Sequence, residues 1–221
     1  RLDNILQIDS VSNSTDVVYQ TIINTGYEDI VSKINNAQQQ GVYAQNDIKT
    51  NIQEIERVAV LSKVIAQGEE IDQDLTEMLV DCAIYHKCAV KKGKNSRQAA
   101  VKSAETIDQM LSGKYSEEQL AMMKAVVEYQ GVNADSGKFK RICAKYNIPE
   151  DKIELAQKLS DCLRDAIELN KTREANPNSK SNQCIYTTET AKNTITFAEF
   201  LNRRYESLPM DLYRISVSQE L

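Results

Sequence analysis

One stretch decides how the chain folds: Leu75-Thr76-Glu77-Met78-Leu79-Val80-Asp81-Cys82-Ala83-Ile84-Tyr85-His86-Lys87. Its apolar residues recur at the i, i+4, i+7 and i+8 spacing of one helical face. This spacing predicts a helix over residues 74–86. Because His86, the only histidine in the chain, falls on the same face, we expect its imidazole on the buried side of that helix or at its rim.

The composition favours an all-α fold. The 221 residues include only seven glycines and three prolines, whereas Gln, Glu, Lys, Ala, Leu and Ile are plentiful, and these residues favour helix over strand. An apolar content of 41% is ordinary for a globular protein and is enough for one substantial core. We therefore expect a single multi-helix bundle, with room for a small helical extension at its C-terminal end.

Turn and loop residues divide the chain into three predicted parts. The helical core covers residues 14–175, a loop rich in Asn and Ser covers residues 176–183, and C-terminal helices that pack on the core cover residues 184–221.

Local signals also predict where single helices begin and end. Ser116 and Gln119 form a capping-box signature for a helix start. Residues 17–34 are typical of one helix or of two helices broken near Gly26. The other predicted helices cover residues 42–68, 99–111, 120–129, 139–146, 150–173 and 188–205.

The charge and hydropathy of the chain restrict its partners. A formal net charge of -5 argues against nucleic acid as the principal partner. No run approaches the roughly 20 apolar residues that a membrane span needs, and no signal-peptide pattern is present. The sequence starts at Arg1 without a Met, so we expect it to be a fragment of a longer polypeptide.

Five cysteines are scattered without CxxC spacing. An odd number of thiols on helical faces predicts reduced cysteines and a reducing, cytosolic compartment. Cys82, His86 and Cys88 are close enough in sequence to raise the alternative of a zinc site. Zinc needs three or four convergent ligands, however, and no second histidine or paired-cysteine motif exists. We therefore predict buried structural thiols, no metal and no other cofactor.

A basic segment follows the central helix. It contains no acidic residue, so its local charge is positive although the whole chain is acidic. Such a segment predicts a surface that binds phosphate or an acidic partner. A solvated lysine-rich turn is the alternative. The predicted anion-binding residues are Lys87, Lys91, Lys92, Lys94 and Arg97.

Three helices in this order resemble an HD-domain phosphohydrolase. Their motifs are Ala83-Ile84-Tyr85-His86, Glu128-Tyr129-Gln130-Gly131 and Asp161-Cys162-Leu163. Within that superfamily the chain is most similar, from Asn36 to Arg173, to the phosphodiesterase domain of SidE-type Legionella effectors, which act on phosphoribosyl-linked ubiquitin. The resemblance implies an HD-like helical core in a bacterial effector secreted into the host cytoplasm. It also implies a nucleotide or other phosphate ligand, ubiquitin or a host protein as partner.

The chain departs from the family pattern at the residues that do the chemistry. The family's His-Asp pair is replaced by His86-Lys87, and Gln40-Gly41 stands where its early His-Gly falls. A metal centre would need several His and Asp ligands, and a lysine beside it opposes a divalent cation. A covalent histidine mechanism would need at least two imidazoles. A resemblance to this family without its catalytic residues implies a pseudoenzyme, that is, a domain that has kept the fold and lost the activity.

Three residues are candidates for a remnant catalytic site, and each has a structural alternative. His86 is either an acid/base or phosphate-binding remnant, or a helix-end histidine stabilised by the helix dipole. Glu128 is either a general base or an ordinary charged residue near a helix end. Asp161 either faces His86 as a charge partner or is a solvated helical aspartate.

Three functions follow from these observations. We favour a catalytically lapsed HD-like domain that binds a phosphate-bearing ligand or a host protein. The second is an active phosphodiesterase or nucleotide phosphohydrolase whose rearranged site brings His86, Glu128 and Asp161 into one cleft. The third is a helical interaction scaffold unrelated to HD proteins.

Overall fold

The computed structural model describes residues 26–43, 48–89, 95–171 and 186–207. Over these residues the chain forms a single helical bundle without strands, which confirms the predicted all-α class. None of the described helices is both long enough and apolar enough to cross a bilayer. We number them α1 Tyr27–Gln39, α2 Ile48–Gly68, α3 Gln73–Tyr85, α4 Ser96–Leu111, α5 Glu117–Tyr129, α6 Ser136–Lys145, α7 Ile153–Asn170, α8 Glu189–Asn193 and α9 Ile195–Ser207.

Helix α3 occupies the centre of the bundle. Every residue from Met78 to His86 is buried, and α3 packs against α1, α2, α4, α5 and α7. A helix that is buried all round needs neighbours on every side. The stretch that predicted this helix therefore also explains why the others surround it.

Several helix ends follow the local signals in the sequence. The Ser116–Gln119 capping box is confirmed, since Ser116 Oγ accepts from Gln119 N at 3.2 Å and Gln119 Oε1 accepts from Ser116 N at 3.0 Å. Asp72 caps α3 by accepting a hydrogen bond from Leu75 N at 2.9 Å. Helix α1 begins directly after Gly26, whose φ of 70° lies in the left-handed region that glycine adopts without steric cost.

The C-terminal helical segment differs from its prediction. A single helix was expected over residues 188–205, but the chain turns at Thr194, which separates α8 from α9. Thr194 Oγ1 donates to Thr190 O at 2.6 Å, and such side-chain bonds to a preceding carbonyl often bend a helix. Both helices contact α2 and α7. The predicted loop 176–183 lies outside the described residues.

Two carboxylates hold the start of α8 against the core. Asp165 of α7, which is fully buried, accepts hydrogen bonds from the backbone of Thr187 and Thr188 and from Thr188 Oγ1 at 2.7 to 3.1 Å. Glu69, just after α2, accepts from Thr190 N at 3.1 Å and Thr190 Oγ1 at 2.7 Å. Asp165 thus fixes the two residues that precede the helix, and Glu69 accepts from one of the N–H groups that a helix start leaves unpaired.

Gly68 allows this close approach. A Cβ added there would lie 2.3 Å from Thr190 Cγ2 and 2.6 Å from Thr190 Oγ1. Thr190 cannot turn away without losing its hydrogen bond to Glu69. The end of α2 therefore requires a residue without a side chain where it meets α8.

We expect Gly68→Ala to lower the free energy of unfolding by about 1–3 kcal/mol, because the added methyl group forces a shift in a packed contact. Urea unfolding followed by circular dichroism measures the change. Gly113→Ala is the matched control, since a Cβ at Gly113 meets no atom within 4 Å, and its effect should stay within about 0.5 kcal/mol. Equal unfolding midpoints for the two variants would contradict the packing argument.

Candidate functional site

His86 lies at the C-terminal end of α3 and is buried, with 4% of its surface exposed. Its Nδ1 is 2.6 Å from the carbonyl oxygen of Ala83. Because a carbonyl only accepts hydrogen bonds, Nδ1 carries the hydrogen and Nε2 carries the lone pair of the neutral ring. Nε2 is buried and has no hydrogen-bond partner.

The surroundings of His86 keep it neutral. Burial, together with the positive charge of Lys87, lowers the pKa of His86 to about 4. Lys87 itself forms an ion pair with Glu54 of α2. The imidazole therefore carries no proton to donate from Nε2 at neutral pH.

Glu128 lies near the end of α5 and forms hydrogen bonds with residues at the end of α6. Its Oε2 accepts hydrogen bonds from Lys145 Nζ at 2.6 Å and from Tyr146 Oη at 2.5 Å. Burial and the neighbouring Glu128 carboxylate raise the pKa of Tyr146. The phenol thus stays protonated and donates to Glu128, whose charge is balanced by Lys145.

Asp161 lies half-buried on α7. Its Oδ1 accepts a hydrogen bond from Gln157 Nε2, one helical turn earlier, at 2.8 Å. Burial raises the pKa of Asp161, and the nearby Asp165 carboxylate acts in the same direction. Asp161 is thus neither an ordinary solvated aspartate nor part of an ion pair within the described chain.

The three predicted catalytic residues have separate partners. Within the described ranges, no hydrogen bond or ion pair joins any two of His86, Glu128 and Asp161. The same part of the chain contains no group of three or more His, Cys, Asp or Glu side chains placed to hold a metal ion. Cys82 and Cys88 are free, buried thiols, and burial raises the pKa of both.

The predicted anion-binding residues are distributed unevenly. Lys87 is paired with Glu54 and partly buried, whereas Arg97 is exposed at the start of α4. Lys91, Lys92 and Lys94 lie outside the described residues. Arg97 is therefore the member of this set that faces solvent without an ion pair among the residues that can be described.

A surface groove of about 710 Å³ runs along the outer face of α4 and includes Arg97. Neither Arg97 nor Lys102 forms an ion pair with any residue that the structure describes. Glu105 lies one helical turn beyond Lys102. The groove is lined by Asn95, Arg97, Gln98, Val101, Lys102 and Glu105.

A charged network on the central helix was not predicted from the sequence. Asp81, which is 2% exposed, accepts from Lys114 Nζ and Tyr115 Oη, each at 2.7 Å. Lys33 of α1 lies 3.7 Å from the other Asp81 oxygen and also pairs with Glu77. The available signal was the pair of acids one turn apart, Glu77 and Asp81, which flank the apolar residues Met78, Leu79 and Val80.

No protein-family model, curated protein or solved structure matches this chain. The class that the structure itself defines is an all-α helical bundle. The resemblance to HD-domain phosphohydrolases and to SidE-type effectors stays a prediction, as do the host-cell location and a ubiquitin partner.

His86 also makes folding stability depend on pH. Its folded pKa of about 4 lies below the ordinary value of 6.5, so between these values the unfolded chain binds more protons than the folded chain. Stability from His86 is fully present above pH 6.5 and is lost as the pH falls through that window. At the lower end of this pH window the free energy of unfolding is smaller by roughly 3 kcal/mol than above pH 6.5.

We expect His86→Asn to remove this contribution, because Asn keeps a donor for Ala83 O but does not titrate. Urea unfolding at a series of pH values should show a shallower rise of stability with pH for the variant. The Hε1 proton resonance of the single histidine gives the pKa directly by NMR. A midpoint near 6.5, the ordinary value, would contradict the buried neutral ring.

Proposed function

We propose that this chain is a phosphate-binding helical domain that keeps an HD-type arrangement of helices without its hydrolytic chemistry. The groove on α4 carries the proposal, because it combines neutral hydrogen-bond donors with two cations that form no ion pair with the described residues. The ligand class is a phosphate-bearing molecule.

The residues of the groove have the chemistry that a phosphate requires. The planar guanidinium of Arg97 can donate two parallel hydrogen bonds to phosphate oxygens, and the ammonium of Lys102 adds a point charge. Asn95 Oδ1 accepts from Arg97 N at 2.9 Å, and its amide nitrogen is a neutral donor that forms no hydrogen bond with the described part of the chain. The positive end of the α4 dipole lies at the same end of the groove.

Glu105 sets the orientation of the ligand. Its carboxylate repels an anion from the distal end of the groove, so the phosphate should lie toward Arg97. Val101 between them offers apolar surface to a less polar part of the ligand.

The state of His86 argues against general-acid catalysis in this domain. A general acid must hold a transferable proton at the working pH, and the neutral ring uses its single N–H on Ala83 O. Glu128 is likewise held by Lys145 and Tyr146. These contacts favour structural roles for both residues and support the proposal of a binding domain.

We expect Arg97→Gln combined with Lys102→Gln to weaken binding of inorganic pyrophosphate at least about tenfold, because two charge-assisted contacts are removed. Isothermal titration calorimetry measures the affinity. Lys171→Gln combined with Lys192→Gln removes the same charge from exposed positions outside α4 and should bind pyrophosphate as the parent chain does. Equal weakening by both pairs would show only a general charge effect and would overturn the groove assignment.

A hydrolysis assay tests the loss of chemistry separately. Bis-p-nitrophenyl phosphate should be cleaved no faster by the parent chain than by His86→Ala, with or without added divalent metals. Turnover that His86→Ala abolishes would establish the active-enzyme alternative instead.

A further inference from the structure

The outer face of α6 is a second surface on which positive charge is concentrated. The helix contains no acidic residue from Ser136 to Lys145, although the whole chain has a formal charge of -5. We call this surface the basic face. It consists of Lys138, Lys140, Arg141 and Lys145.

The basic face points to solvent because the opposite side of α6 is part of the core. Phe139 and Cys143 are fully buried and Ile142 nearly so. The side chains of Lys138 and Lys145, in contrast, are 44% and 48% exposed. This division gives α6 one apolar and one cationic side.

Part of this charge has no internal partner. Lys145 is paired with Glu128 at 2.6 Å, and Lys138 lies 3.9 Å from Asp135, at the limit of an ion pair. Lys140 and Arg141 form no ion pair with any residue in the described ranges. Arg141 Nε donates to the carbonyl of Gly137 at 3.2 Å, which leaves its terminal nitrogens available to a ligand.

The helix that presents these cations is held firmly. Asp135 caps it by accepting from Gly137 N at 2.8 Å and Lys138 N at 3.1 Å. The ring of Phe139 packs edge-on against Tyr129, with 4.9 Å between the centroids, and Tyr129 Oη accepts from Asp135 N at 2.6 Å. Such preorganisation reduces the entropy lost when a partner binds.

We infer that the basic face is a docking surface for an acidic polypeptide segment. A membrane is a poorer fit, because surface helices insert an apolar side into the lipid and the apolar side of α6 is buried in the protein. Duplex DNA is also a poorer fit, since it carries a charge every 1.7 Å or so and would be repelled by the acidic remainder of the chain. A peptide with a few carboxylates matches a helix about 15 Å long.

The inference is tested by fluorescence anisotropy with a labelled peptide in which Glu and Ser alternate. Lys140→Gln combined with Arg141→Gln should weaken its binding about three- to tenfold, as expected for two exposed ion pairs. Added salt should weaken the binding of the parent chain. Lys171→Gln combined with Lys192→Gln removes equal charge from other exposed positions and should change the affinity less than about twofold.

Other outcomes would overturn the inference. These are no binding of the Glu-Ser peptide by the parent chain, equal weakening by the two double variants, or equal binding of a peptide with Gln in place of Glu. Tighter binding of duplex DNA or of phosphatidylserine vesicles than of the peptide would also overturn it. Because Lys140→Gln combined with Arg141→Gln leaves Arg97 and Lys102 of the α4 groove unchanged, its effect on peptide binding is separate from pyrophosphate binding by that groove.

Discussion

The buried carboxylate of Asp81 constrains the arrangement of the helices around α3. A charge removed from water inside a protein is tolerated only when paired and hydrogen-bonded. Asp81 obtains its partners from Lys114 and Tyr115, in the connection between α4 and α5, and from Lys33 of α1. The position of those segments relative to α3 therefore follows from one acidic side chain as well as from apolar packing.

Other acidic side chains join helices in a similar way. Glu128 joins the end of α5 to the end of α6, and Asp165 with Glu69 joins α8 to α7 and α2. These carboxylates are occupied inside the molecule, whereas several cations of α4 and α6 face solvent without a partner in the described chain. An acidic protein thus presents positive charge on two separate helices, which is why both proposals concern anionic ligands.

The helices could be predicted from the sequence to the extent that their signals are local. The periodicity of residues 74–86 identified the central helix, and Ser116 with Gln119 identified the start of α5. The break at Thr194 was missed, because its neighbours continue a helical pattern and the stop comes from a side-chain bond to Thr190. The burial of His86 was predicted, but the ion pair with Glu54 that neutralises the charge of Lys87 was not. That pair joins α2 to the end of α3, and such contacts between distant residues leave no local signal.

One consequence of the sheltered imidazole concerns the charge of the whole molecule. Histidine is the side chain whose ordinary pKa allows it to gain charge under mildly acidic physiological conditions, and the chain has a single one. With that ring held neutral, the net charge of -5 at pH 7 falls in magnitude on acidification through uptake of protons by carboxylates and not by the histidine. The change in electrophoretic mobility between pH 7 and the isoelectric point near 5.1 accordingly follows the titration of the acidic side chains alone.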